Sequence, residues 1–250
     1  MPAGNYRNPP IEEALCEFVF ANPSQSRMID LALPGKLQSH EKIKDIYSGA
    51  VKTPHVPMFI AGDNGAGFAL QPSPLRIQIP NKEGTKVLSL GVSSLSVSSL
   101  RPYEGWGKFK PSIEQALSAY YDLTGFLPVV RIGVRYVNRI VIGGPVSDLS
   151  LYLSDVKTRN DSLDARLTHF NRRNEYLFDN GMKVVITQAT LTPSNPEHTE
   201  LFLDIDAIWD AAPLTNFDSV ISKANELHSL EGKVFEHLIN DGARSIFDAE

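Results

Sequence analysis

Three arginines, Arg131, Arg135 and Arg139, stand four residues apart in the longest run of β-formers in the chain, Val129 to Ile142. Strand side chains alternate between faces, so all three share one face at intervals of roughly 13 Å. The other face carries Ile132, Val134, Tyr136, Ile140 and Ile142, interrupted by Asn138. Two carboxylates, Asp204 and Asp206, share one face of a second expected strand, with Ile205 and Ala207 opposite. Arginine's planar fork binds carboxylates and phosphates bidentately. Three readings are open. If the two strands are neighbours or face one another, the acids pair with the arginines and stabilise a sheet. Alternatively the five groups line a pocket that holds an anionic ligand. If that pocket is open to solvent, Asp204 and Asp206 could work as acid and base beside Arg131 and Arg135, in an enzyme.

A second group is aromatic. Tyr103, Trp106 and Phe109 lie in an expected loop, 101–110, before a helix. They either staple that loop onto its helix or present an exposed patch to a protein partner. Arg172-Arg173 is a small basic pair in a loop, and such pairs are mostly solvated.

Other chemistries find no support. The glycine-rich stretch Gly62 to Gly67 is not followed by Gly-Lys-Ser/Thr, and no Gly-x-Gly-x-x-Gly follows a strand. The six histidines, His40, His55, His169, His198, His228 and His237, show no His-x-x-x-His or His-x-His spacing. No Gly-x-Ser-x-Gly elbow is present. Cys16 sits on an expected strand beside Phe18 and reads as a buried structural thiol. No metal and no cofactor are expected.

The elements that position these groups can be read in order. A strand is expected at 14–20 and a helix near 35–47, with Pro34 in its first turn. A hairpin turns at Gly62-Asp63-Asn64-Gly65-Ala66, a strand at 75–79 ends at Pro80, and Asn81 to Gly84 is a turn. A long serine-rich strand spans 86–100, bent near Gly91. A helix covers 111–124, with Pro111 at its first position and Gly125 after its end. The arginine strand follows. Residues 148–156 are a short helix or irregular, and 157–175 are charged and patternless. Asp179-Asn180-Gly181 joins strands at 175–178 and 182–190. A strand at 200–209 leads to a helix from Phe217 to Phe235 or beyond, capped by Asn216. Ile221, Ala224, Leu227-His228, Glu231, Val234-Phe235 and Leu238 trace its inner stripe. The tail from Asn240 reads as a last helical turn.

This order is α+β: a largely antiparallel sheet with two long amphipathic helices. It also repeats. Residues 1–125 and 126–250 each open on a strand, pass through hairpins, and end on a long strand, a polar loop and a helix. The two sheets could join at the arginine strand into one compact unit. At 250 residues and 42% apolar composition, the chain can bury a real core. A net charge of −5 argues against nucleic acid as the partner. With a single cysteine, no apolar leader and no run near the roughly 18 apolar residues of a membrane span, a cytoplasmic protein is expected. A sheet edge could serve a homo-oligomer.

Three segments together resemble a known family. They are Asn8-Pro9-Pro10-Ile11-Glu12-Glu13-Ala14-Leu15-Cys16-Glu17-Phe18, Tyr103-Glu104-Gly105-Trp106-Gly107-Lys108-Phe109, and Arg131-Ile132-Gly133-Val134-Arg135-Tyr136-Val137-Asn138-Arg139-Ile140. They are similar to hallmark segments of a sporadically distributed prokaryotic family of uncharacterised proteins, over the whole chain. The resemblance implies no catalytic residues. The family's patchy distribution suggests an accessory of a mobile-element or defence locus. Gly107 departs from the acidic residue the pattern leads one to expect after the tryptophan. The expectation is therefore a non-catalytic protein that binds an anionic ligand or a protein partner. An Arg/Asp-lined enzyme is the alternative, and a nucleic-acid-associated accessory the third.

Overall fold

A computed structural model describes residues 6–21, 30–53, 55–62, 65–72, 76–154, 156, 159–160, 165–167 and 169–248. The first half runs β1 (Ile11–Phe20), α1 (Leu33–Gln38), β2 (His55–Gly62), β3 (Gly65–Pro72), β4 (Arg76–Pro80), β5 (Lys86–Gly91), β6 (Ser94–Leu100) and α2 (Trp106–Thr124). The second runs β7 (Val129–Gly143), a 3-10 turn (Leu149–Leu151), β8 (Arg159–Asn160), β9 (Ala165–Arg166), β10 (Asn171–Leu177), β11 (Met182–Leu191), β12 (His198–Trp209) and α3 (Phe217–Leu238). A last helix, α4 (Asp241–Phe247), follows.

Eight strands form one sheet in the order β10-β11-β12-β7-β1-β6-β5-β4, and every neighbouring pair is antiparallel. The fold is α+β. Two quartets, β4-β5-β6-β1 and β10-β11-β12-β7, have matching order and meet at the β1–β7 ladder, where Cys16 faces Val134. The remaining pairs, β2–β3 and β8–β9, are small separate hairpins.

Alternation decides which face of the sheet is buried. Cys16 and Phe18 of β1, Val134 and Tyr136 of β7, and Leu203 and Ile205 of β12 all turn to one side and are buried. Both long helices cover that side: Tyr120 of α2 stacks on Phe20 at 4.7 Å, and His228 of α3 lies against Tyr136. Fully burying one such large apolar side chain stabilises the fold by about 1.5–3 kcal/mol. Asn216 caps α3, its side chain accepting from the Ser219 N–H at 2.8 Å.

Several expectations are corrected. The long strand at 86–100 is a tight hairpin, β5–β6, with Leu90 opposite Leu95, because the chain reverses direction at Val92-Ser93. The first long helix starts at Trp106, so Pro111 lies inside it. The reason is periodicity. Phe109 and Trp106 continue the stripe Ile113, Ala116, Leu117, Tyr120 backwards by two turns, and packing them on the core outweighs the one backbone bond lost at Pro111. The helix near 35–47 is only α1; Ile43 and Tyr47 reach the core from successive turns beyond it. The patternless stretch 157–175 contains β8, β9 and the start of β10, an edge strand whose side chains are mostly exposed and so carry no apolar alternation. The tail is a separate helix, α4, after an extended Ile239 that bridges to Leu153. The tip of the first hairpin, 63–64, lies outside the described residues.

Candidate functional site

The arginine face lies on the side of the sheet away from the helices. β7 and β12 are neighbours, and Asp206 is directly opposite Arg135. The fork of Arg135 closes on Asp204, with Nε 2.7 Å from Oδ1 and Nη2 2.9 Å from Oδ2. Arg139 donates through Nε to Glu200 at 2.7 Å. Arg131 donates to Glu17 of β1 at 2.8 Å and reaches Asp206 at 3.4 Å. Gly133 makes room for that crossing, since a Cβ there would stand 3.2 Å from both Arg131 Nη atoms and from Asp206 Oδ1. Glu17 also accepts from Arg76 of β4 at 3.0 Å. Because β4 and β1 are separated by β5 and β6, that guanidinium must pass over small residues, among them Ser89 and Ser96, both buried. Burial pushes the Asp206 carboxyl up to about 6, against the pull of Arg131 and Arg135. All five predicted residues thus lie on one face, in three neighbouring sets of ion pairs: Arg131 with Glu17 and Asp206, Arg135 with Asp204, and Arg139 with Glu200. Glu17 and Glu200 are members the sequence reading did not include. Each arginine of the strand already holds a carboxylate.

The other face holds a cleft of about 630 Å³. Its floor is Tyr136 of β7; its walls are the loop 103–107 with Trp106, the segment around Pro9 and Pro10, and α3 with His228 and Glu231. The predicted aromatic group divides here. Tyr103 and Trp106 line the cleft, whereas Phe109 is buried beneath them, edge-on to both rings. Trp106 donates from its indole N–H to Asn225 at 3.0 Å and stacks on the His228 imidazole, with centroids 4.2 Å apart. The hydroxyls of Tyr103 and Tyr136 are 2.9 Å apart, and Tyr136 Oη is 3.1 Å from His228 Nδ1. One hydrogen-bonded chain thus runs from the loop across β7 to α3.

Glu231 is different from all of these. Its residue is 4% exposed, it lines the cleft, and its carboxyl has no hydrogen-bond partner among the described residues. Desolvation alone pushes it up to about 8. Glu236, on the same helix, shows the ordinary alternative: it accepts from Tyr6 at 2.8 Å and from Arg244 at 3.2 Å. Burial also drives His228 down to about 4, so the imidazole is neutral at pH 7. Burial keeps the Tyr103 and Tyr136 hydroxyls protonated, well above their usual range. The cleft therefore offers a proton-bearing or ionisable carboxyl, two hydroxyls and a neutral imidazole between aromatic walls.

The sequence did carry a sign of this site. Glu231 and His228 sit on the inner stripe of α3, where an acid among apolar positions must be buried. What it lacked was the list of groups that turn toward them from β7, the loop and the N-terminal segment. Among the described residues no cluster of His, Cys, Asp and Glu is placed to hold a metal ion. Also among the described residues, no helix is long and apolar enough to cross a membrane. No family model matches the chain, and no curated protein matches it.

Proposed function

We propose that the protein is a non-catalytic binding protein whose ligand enters the cleft between loop 103–107, β7, α3 and the N-terminal segment. The observation that carries this reading is Glu231, a residue 4% exposed in the wall of an aromatic cleft, whose carboxyl takes no hydrogen bond from any described residue and borders the cleft. An unpaired buried acid costs stability, which a ligand that satisfies it returns on binding. Concave, largely apolar walls with a few convergent polar groups are the ordinary build of a ligand site. The arginine face supports the reading by contrast. Its cations are matched by Glu17, Asp204, Asp206 and Glu200, so an anion there would have to break ion pairs that already exist. Cys16, the single cysteine, is a buried free thiol, in keeping with a cytoplasmic setting.

Crystals soaked with a chemically mixed fragment set test this. Fragments are expected against Trp106, Tyr136 and Glu231. Fragments that gather on the arginine face, or none in the cleft, would overturn the reading.

A further inference from the structure

We infer that the cleft recognises a planar group with two adjacent N–H donors, a guanidinium, an amidinium or the amino-lactam edge of a heterocycle, held by the Glu231 carboxylate. The inference rests on the binding reading above and names its ligand class.

The geometry supplies the argument. A carboxylate has two oxygens in one plane, and a flat N–H fork satisfies both at once. No described residue hydrogen-bonds the Glu231 carboxyl, which borders the cleft. The walls beside it are aromatic: Tyr136, Tyr103 and the Trp106–His228 stack. A guanidinium stacks on such faces and is weakly hydrated, so it enters an aromatic cleft at smaller desolvation cost than an ammonium. An ammonium would also bring three donors to a place with one free carboxyl. An anion meets a mixed situation: Arg7 stands on the N-terminal wall, but His228 is neutral, and Glu104 and an ionised Glu231 would repel it.

Linkage gives the inference a signature. The titratable and charged groups facing Glu231 are Tyr103 and Glu104 from the loop, Tyr136 from β7, His228 on its own helix, and Tyr6 and Arg7 from the N-terminal segment. The three tyrosines are pushed upward, chiefly by burial, and His228 downward; Glu104 is held low by Lys108. Arginine stays charged at every pH of interest. Among the described residues that line the cleft, this leaves Glu231 to titrate between pH 6 and 8. It must ionise to accept both N–H groups, so affinity for a fork should rise about tenfold per pH unit and level off above pH 8.

The chemistry could reach the cleft as a free small molecule or as an arginine side chain of a partner. The probes are therefore benzamidine, guanosine and a blocked arginine peptide, with benzoate and inosine as matched compounds lacking the fork. Binding is read by thermal shift and calorimetry at pH 6, 7 and 8. Benzamidine or guanosine, or the peptide, is expected to bind wild type and to tighten with pH; inosine and benzoate are not. Tighter binding of the peptide points to a protein source, and of the free compounds to a metabolite. Glu231→Gln should lose the binding while remaining folded, and Arg135→Ala, on the opposite face, should keep it. Binding that survives Glu231→Gln unchanged, or that ignores pH, overturns the inference. So does a failure of all three fork-bearing probes at pH 8. If benzoate binds the cleft instead, the ligand class falls and the binding reading stands. If fragments avoid the cleft altogether, the binding reading falls with it.

Discussion

The imidazole of His228 lies on the indole of Trp106, with ring centroids 4.2 Å and planes 13° apart. A protonated imidazole quenches indole emission, so the pair reports its own titration. Burial drives His228 down to about 4. With Trp209→Phe leaving Trp106 as the emitter, emission is expected to stay flat from pH 8 to about 5.5 and to fall with a midpoint near 4. The unfolded chain titrates near the ordinary histidine value of about 6.5 and binds more protons than the fold in between. His228 therefore contributes stability that is present above about pH 6.5 and is lost as pH falls toward 4. A quenching midpoint near 6.5 would show an imidazole open to water, and a stack that does not persist.

Glu231 has the opposite sign. Its carboxyl is pushed up to about 8 in the fold. Unfolded, it titrates near 4.3, so between these values the fold holds a proton that the unfolded chain has released. Stability from this group is fully present below about pH 4.3 and is lost as pH rises toward 8. Glu231→Gln keeps the shape and removes the ionisation. The variant should exceed wild type by at most about 3.6 kcal/mol at pH 7, with the gain vanishing near pH 4. Urea unfolding at pH 4.5, 6 and 8 measures this. A gain that does not grow with pH would mean that the carboxyl is solvated or paired.

How much of this could be read beforehand depends on where each signal resides. The strand Val129–Gly143 declares itself, because its arginines and its apolar residues alternate over a full sheet width. The same alternation placed Asp204 and Asp206; the register sets Asp206 opposite Arg135, and the ion pairs form diagonally, Arg135 with Asp204 and Arg131 with Asp206. Trp106 and Phe109 were legible as aromatics but were assigned to a loop, because Pro111 reads as a helix start when its local sequence is taken alone. The stripe through Ile113 and Leu117 carried the better information. The state of Glu231 was not legible. A carboxylate on α3 can be paired, as Glu236 is, and only packing across β7 and the N-terminal segment shows that Glu231 has no such partner among the described residues.

On the arginine face, Arg135 and Asp204 should be coupled by more than an ordinary surface pair. The contact is bidentate, and the Asp204 side chain is 12% exposed. A double-mutant cycle with Arg135→Ala and Asp204→Ala is expected to give about 1–2 kcal/mol, above the roughly 0–1 kcal/mol of exposed pairs. The single variants should differ. Arg135→Ala leaves Asp204 and Asp206 two positions apart on one strand face without the cation between them, so it should cost more than Asp204→Ala. Lowering the pH should relieve that extra cost as the Asp206 carboxyl, raised by burial, protonates. Equal costs at every pH would indicate that the guanidinium contributes only its alkyl packing.

Two buried tyrosines give a contrast that needs no ligand. The ring of Tyr47 is fully buried, and its hydroxyl has no hydrogen-bond partner among the described residues. Tyr136 is almost as deeply buried, but its hydroxyl meets both Tyr103 and His228. A buried hydroxyl is worth keeping only where something bonds to it. Tyr47→Phe is therefore expected to stabilise the protein by about 1 kcal/mol, raising Tm by about 2–4 °C for a chain of this size. Tyr136→Phe should lower stability by about 1–2 kcal/mol, because it leaves Tyr103 and His228 each short of a partner. Thermal melts of the two variants beside wild type decide it. A loss for Tyr47→Phe equal to that of Tyr136→Phe would mean that the Tyr47 hydroxyl has a bonded partner after all.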